Sequence, residues 1–267
     1  MGINGLRPVV EIQFADYIFP AYDQIVNEMA KVRHRSGGEF WCPVTIRTPA
    51  GGGIRGGHHH SQSPESQFTH TPGLKVVYCS TPYNAKGLLI SAIEDNDPVI
   101  FFEPKRCYRG PFYGDPHNVP TWSDHPEAEV PESHYKIPLG EARLAMEGDR
   151  CTVISWGAMV HVCEQAIKSS GVSCDLIDLQ TLVPWDVEAV VKSVAKTGRC
   201  VIVHEAPKTS GFGAEMAASI QERCFWNLES PIERVTGWDT PFPHTTEWDY
   251  MPGPDRVIAA IVRTQED

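Results

Sequence analysis

The stretch "GRCVIVHEAPKTSGFGAEMA", Gly198 to Ala217, carries the pattern that decides the fold. Its first half, "RCVIVHEA", is a β-branched apolar run of strand length, and a helical pattern follows from Gly213 to Leu228. The same rhythm extends in both directions. Upstream lie the strand candidate "CTVISW", a helix around Val160 to Ile167, the strand candidate "VSCDLIDL" and a helix from Asp186 to Ala195. Downstream lie "PIERVTG" and a terminal helix from Asp255. Strands alternating with helices predict a mostly parallel sheet covered by helices, the α/β class.

The N-terminal half repeats this organisation without repeating the sequence. "PVVEIQF" reads as a strand, and Tyr22, Ile25, Val26, Met29 and Val32 then recur at helical spacing, predicting one amphipathic helix of about four turns. Strand candidates "VTIR" and "LKVVYC" follow, then a helix "NAKGLLISAIED" with Leu88, Leu89, Ala92 and Ile93 on one face, then the strand "PVIFFEP". Between the halves runs a polar stretch with five prolines from Pro111 to Pro131 and few aliphatic residues, which argues for a surface linker. The expected division is therefore a first α/β domain over 1–110, a linker over 111–136 and a second α/β domain over 137–267.

Composition narrows the function. A chain of 267 residues can bury roughly three quarters of its unfolded surface, so a substantial core is expected. With 34 acidic against 23 basic residues, a formal charge of -11 and no basic block, nucleic acid is not an expected partner. No apolar run approaches the length of a bilayer span and the N-terminus lacks a signal-peptide layout, so a soluble, cytoplasmic protein with no membrane partner is expected. Eight scattered cysteines without a Cys-x-x-Cys pair read as reduced, mostly buried thiols.

One loop invites chemistry. "TPAGGGIRGGHHHSQSPE", Thr48 to Glu65, runs a glycine-dense segment into three consecutive histidines. Glycines let backbone N–H groups approach a ligand or another segment closely. The run lacks the Lys-Ser/Thr ending of a phosphate loop and misses the dinucleotide frame. Adjacent histidines in an extended segment point to opposite faces, which suits chelation poorly. Metal binding, solvated loop histidines and a single proton-transferring imidazole all remain open on the pattern alone. Elsewhere, His204 and Glu205 end a strand where α/β proteins place ligands, although a satisfied structural group is the default reading. Glu103 reads as a buried acid paired with Lys105 or Arg106.

Five stretches taken together carry a resemblance: "GLRPVVEIQFADYIFPAYDQIVNEMAKVRHRSGGEF", "GGHHHSQSPESQFTHTPGLKVV", "AKGLLISAIEDNDPVIFFEPKR", "TLVPWDVEAVVKSVAKTGRCVIVHEAPKTSGFGAEMA" and "ERVTGWDTPFPH". They resemble the β subunits of thiamine-diphosphate-dependent 2-oxo acid dehydrogenases, the branched-chain (2-oxoisovalerate) type more than the pyruvate type. The likeness runs from Gly5 to about Val262.

The resemblance implies a transketolase-like pyrimidine-binding domain followed by a transketolase C-terminal-like domain. It implies oxidative decarboxylation of a branched-chain 2-oxo acid with acyl transfer to lipoyl-lysine, an α2β2 heterotetramer with an α subunit that holds Mg and the diphosphate, and docking to a lipoyl-bearing acyltransferase core. His60, the last histidine before "SQSP", matches the family's active-site histidine. Gln13 and Tyr17 match positions lining the aminopyrimidine end of the coenzyme, where an amide and an aromatic ring suit a heterocycle. Val44, Thr45, Ala92, Asp95 and Asp97 match a monovalent-cation (K+) site built largely of backbone carbonyls. Were this chain eukaryotic, the implied compartment would be the mitochondrial matrix.

Family members also carry a Gly-Glu-Asp-like segment before "GLRPV", whose Glu activates the coenzyme, and no "GED" or "GQD" occurs in these 267 residues. The expectation is a truncated form with an incomplete first domain, inactive in decarboxylation as written and with apolar faces bare. Two rivals stand beside this reading. One is a non-catalytic assembly subunit, separable by assay with the α partner; the other is a metal hydrolase on His58 to His60, which predicts stoichiometric zinc.

Overall fold

The computed structural model describes residues 1–108 and 128–266, so most of the expected linker lies outside the described residues. The strands are β1 (Val9–Glu11), β2 (Thr45–Ala50), β3 (Lys75–Tyr78), β4 (Val99–Pro104), β5 (Arg143–Met146), β6 (Cys151–Ser155), β7 (Cys174–Asp178), β8 (Thr181–Val183), β9 (Cys200–Pro207) and β10 (Glu233–Gly237). The α-helices are α1 (Val32–Arg35), α2 (Glu65–Thr69), α3 (Pro82–Glu94), α4 (Met159–Ser170), α5 (Val187–Thr197), α6 (Phe212–Cys224), α7 (Glu247–Tyr250) and α8 (Pro254–Glu266). They build two sheets, ordered β1-β2-β4-β3-β8 and β10-β9-β6-β7-β5. Every pairing is parallel except β3 with β8 and β5 with β7.

Strand identity follows from burial. Val99 to Phe102 and Val201 to Val203 lie buried on both faces, as expected where helices cover a parallel sheet, and each reads as a continuous apolar run instead of an alternation. Two helices begin on side-chain caps. Thr81 and Asn84 form a reciprocal capping box on α3, Asp186 accepts from the Ala189 amide at the start of α5, and Gly198 closes α5 in the left-handed region.

One helix departs from the periodicity. Instead of a regular rod over Tyr22 to Val32, the chain follows a 3-10 turn at Phe19–Ala21 with a π turn at Gln24–Glu28, another 3-10 turn at Met29–Lys31 and then α1. The wide turn has a packing reason. Ile25 and Ala30 are both buried, and an α-helix would set residues five apart roughly 140° from each other, whereas an i→i+5 turn brings them to one side.

The two sheets are not independent. β8 follows β7 of the second sheet but pairs antiparallel with β3 of the first, so the first sheet takes its edge strand from the second half of the chain. One apolar cluster runs through both halves, from Ile18, Phe68, Tyr78 and Phe102 to Trp156, Leu179, Leu182, Ile202 and Phe212. A polar knot crosses the same seam: Ser80 Oγ donates to Asp178 at 2.5 Å, and Asn84 and Arg143 donate to the same oxygen. Burial raises the pKa of Asp178 above the ordinary aspartate value, with Arg143 and Ser80 opposing that shift.

Glu103 pairs with Arg47 on neighbouring β2, at 2.6 and 3.1 Å, where the sequence pointed to Lys105 or Arg106. The reason is register: Arg47 lies opposite Phe101, which puts it on the same sheet face as Glu103 two residues on. The N-terminal segment leaves Ile3, Leu6, Val9 and Val10 exposed along the β1 edge of the first sheet. All eight cysteines are free and all but Cys107 are buried.

Because Leu182 lies in the shared cluster on the crossing strand, Leu182→Ala should lower stability by about 2–5 kcal/mol. In urea denaturation followed by circular dichroism, both halves should unfold in a single shifted transition; two separated transitions would contradict the shared seam.

Candidate active site

The first sheet sends two segments off the carboxyl ends of adjacent parallel strands, the place where α/β sheets bind ligands. β1 ends at Glu11 and leads into Gln13, Phe14 and Tyr17; β2 ends at Ala50 and leads into the glycine and histidine loop. The two meet at His60. Its ring lies edge-on to Phe14 with centroids 4.8 Å apart and edge-on to Tyr17 at 5.6 Å. Tyr17 Oη and His60 Nε2 stand 3.4 Å apart, and the tautomer of the imidazole decides which donates. Tyr17 keeps 47% of its surface exposed and Gln13 is exposed, so the cluster forms an open wall, not an enclosed pocket. Lys105 places its ammonium 5.1 Å from the Phe14 ring centre.

His58 and His59 do not join this cluster. Both are exposed, with rings 4.1 Å apart, and the side-chain amide of Gln62 donates to the carbonyl of His58 at 2.8 Å. Among the described residues no group of three His, Cys, Asp or Glu side chains is arranged to hold a metal. Phe14 is the residue the sequence reading passed over; its adjacency to Gln13 was the available signal.

The glycine segment serves a second purpose, which is docking within the chain. The Gly52 amide donates to Glu205 Oε2 at 2.8 Å, and the Gly53 and Arg55 amides donate to Glu247 at 3.3 and 2.8 Å. A Cβ on Gly52 would stand 2.5 Å from the Phe242 ring, so only glycine allows this approach. Thus the loop threads against the second half of the same chain. Glu65 completes the buried set, accepting from Trp156 Nε1 at 3.3 Å. His204 stacks on Trp156 with centroids 5.2 Å apart.

Burial controls the titration of these groups. Desolvation pushes Glu65 up to about 8 and Glu205 up to about 7, against the opposing hydrogen bonds from Trp156 and Gly52. Glu247 is raised for the same reason, and His204 is lowered to about 4, which keeps it neutral.

The five residues matched to a cation site gather where α3 turns into β4. The Thr45 hydroxyl donates to the Ala92 carbonyl at 3.0 Å, the Val44 carbonyl accepts from the Val99 amide, and the Asp95 side chain accepts from the Asp97 amide. Arg7 donates to the carbonyl of Asp95 at 2.6 Å, while Lys75 pairs with Asp95 and Arg33 with Asp97. Those basic groups already balance the two carboxylates, so an ion held there would rest on the second lone pairs of the carbonyls.

Residues 1–111 match the family model described as the transketolase pyrimidine binding domain, and residues 140–257 match the transketolase C-terminal domain. A 2-oxoisovalerate dehydrogenase subunit beta from Pseudomonas aeruginosa is 56% identical over 268 residues, an alignment spanning 100% of this chain and 76% of that relative. The chain belongs to the family of 2-oxoisovalerate dehydrogenase β subunits. A mitochondrial relative of the same name from Dictyostelium discoideum is 55% identical over 99% of this chain and 69% of its own. A solved structure titled "Split gene transketolase, inactive beta4 tetramer" superposes with a TM-score of 0.74 over 98% of this chain and 77% of that one, at 19% identity, a likeness of fold. This β-subunit chain has no helix, among the described residues, long and apolar enough to cross a membrane.

The buried acids of this β subunit give its stability a definite pH dependence. Glu65 and Glu205 have folded-state pKa values above the ordinary glutamate value of 4.5, so their contribution is complete below that value and is lost as pH rises through about 7 to 8. Glu65→Gln abolishes one such titration and keeps an acceptor for Trp156. Its melting temperature relative to wild type should therefore rise between pH 5 and pH 9; a difference that stays flat across that range would contradict the buried, protonated carboxyl.

Proposed function

We propose that this chain is the β subunit of a branched-chain 2-oxo acid dehydrogenase, working in oxidative decarboxylation and acyl transfer to lipoyl-lysine. Its proposed partners are an α subunit in an α2β2 heterotetramer and a lipoyl-bearing acyltransferase core. The compartment is the cytoplasm, or the mitochondrial matrix in a eukaryote. The observation that carries the reading is the convergence of His60, Tyr17 and Phe14 off the ends of β1 and β2.

An open wall of aromatic edges with an exposed amide fits one side of a heterocycle, the other side of which a second chain must cover. Gln13 and Tyr17 would line the aminopyrimidine end of thiamine diphosphate; the α subunit would hold the diphosphate and Mg. When bound, the coenzyme supplies the nucleophilic carbon that the 2-oxo acid requires.

The chain's own residues contribute position and proton transfer. His60 presents Nε2 at the wall and carries a proton there during acyl transfer to the lipoyl group, a task for which an imidazole is suited near neutral pH. The Tyr17 hydroxyl fixes the direction of that nitrogen. Phe14, packed edge-on, limits rotation of the ring and keeps water from its flank. Potassium, held by the oxygens of Val44, Thr45, Ala92, Asp95 and Asp97, would brace the turn between α3 and β4.

In a β chain that carries the Gly-Glu-Asp-like segment before Gly5, reconstituted with the α subunit and the acyltransferase, His60→Ala should reduce acyl transfer from 2-oxoisovalerate by on the order of 10²- to 10⁴-fold, while the α2β2 assembly forms normally. Undiminished transfer would overturn the role given to His60. Exchanging potassium for lithium should lower the melting temperature of the wild-type assembly; equal melting of the wild type in both salts would remove the cation site.

A further inference from the structure

We propose that Glu205 and Glu247, from the second half of the chain, are positioning residues for His60, holding the loop that delivers it. The inference rests on the catalytic reading of His60 given above. Neither carboxylate touches the imidazole wall; both act on the backbone between β2 and the histidines.

The loop from Gly51 to Gln62 is closed at its base by the Gly51 amide donating to the Gln62 carbonyl at 3.1 Å. A loop of this length with its ends tied together gains its internal shape from whatever grips its middle. On one flank, His60 rests against Phe14 and Tyr17, and the Gln62 amide donates to Asp16 at 3.3 Å. The opposite flank is gripped by three backbone amides on two buried carboxylates, Gly52 on Glu205 and Gly53 with Arg55 on Glu247. Hydrogen bonds to charged or buried carboxyl oxygens are among the stronger ones available to a backbone.

Two backbone conformations show that the grip imposes a shape. Gly53 has φ +84°, and Arg55 has φ 56°, the left-handed region that a residue with a Cβ enters only when its surroundings hold it there. The amide of Arg55 is one of those bound by Glu247, at 2.8 Å. Gly57, two residues on, packs on His244, and the 3-10 turn Gly57–His59 then hands the chain to His60. The anchored amides therefore stand five to eight residues upstream of the imidazole.

The test uses the assembled enzyme with its α subunit and a β chain that carries the Gly-Glu-Asp-like segment before Gly5. In Glu247→Ala, tryptic cleavage after the exposed Arg55 should accelerate at least tenfold, and kcat should fall by about 10- to 100-fold with KM for the 2-oxo acid within about threefold, the pattern of a displaced catalytic group. Glu247→Gln keeps one acceptor oxygen and should recover most of both effects. If the alanine variant fails to assemble, Glu205→Asp and Glu247→Asp, whose shorter side chains withdraw the acceptor oxygens, are compared singly and together, and the double variant should show the faster cleavage and the lower kcat. Unchanged Arg55 cleavage and unchanged kcat would overturn the anchoring. A His60→Ala enzyme of undiminished turnover would instead overturn the catalytic reading and, with it, the positioning role, even where Arg55 cleavage still responds.

Discussion

Glu65, Glu205 and Glu247 lie inside the seam between the two sheets, and the rest of the structure is arranged around satisfying them. A carboxyl group taken out of water is costly unless it is neutral or hydrogen-bonded. Here both remedies operate, because burial raises all three pKa values and nearby N–H groups supply donors. The donors come from the indole of Trp156 and from the glycine loop. That requirement explains the composition of the loop better than any ligand does. Side chains at Gly52 or Gly53 would strike Phe242 or Arg106 and push the amides away from the acids.

The seam also determines what the histidine run can do. Once Gly52, Gly53 and Arg55 are fixed to the second half of the chain, the remaining residues of the loop have little choice of direction, and His60 falls beside Phe14 and Tyr17. Its two neighbours point into solvent. One imidazole in an aromatic cluster and two facing solvent do not converge as the ligands of a metal site must.

The apolar part of the seam makes the two halves one cooperative body. β8 crosses from the second half to finish the first sheet, and Leu182 on it packs in the same cluster as Phe68 and Ile202. Buried aliphatic and aromatic side chains of this kind each contribute on the order of 1.5–3 kcal/mol. The site at the ends of β1 and β2 is therefore supported from behind by residues far away in the chain, although it presents an open face outward.

The sequence alone was enough for the alternation of strands and helices, the apolar runs buried as strands, the positions of α3 and α5 within a turn or so, and the family, whose motifs extend through nearly the whole chain. These are local or linear properties, set by side-chain periodicity and by residue order. Tertiary structure decided the rest: the π turn that buries both Ile25 and Ala30, the pairing of Glu103 with Arg47, the crossing of β8, and the docking of a glycine loop on Glu205 and Glu247. Each of these depends on which segments meet in space, and neither a hydrophobic period nor a residue's own chemistry specifies a partner 150 or more positions away.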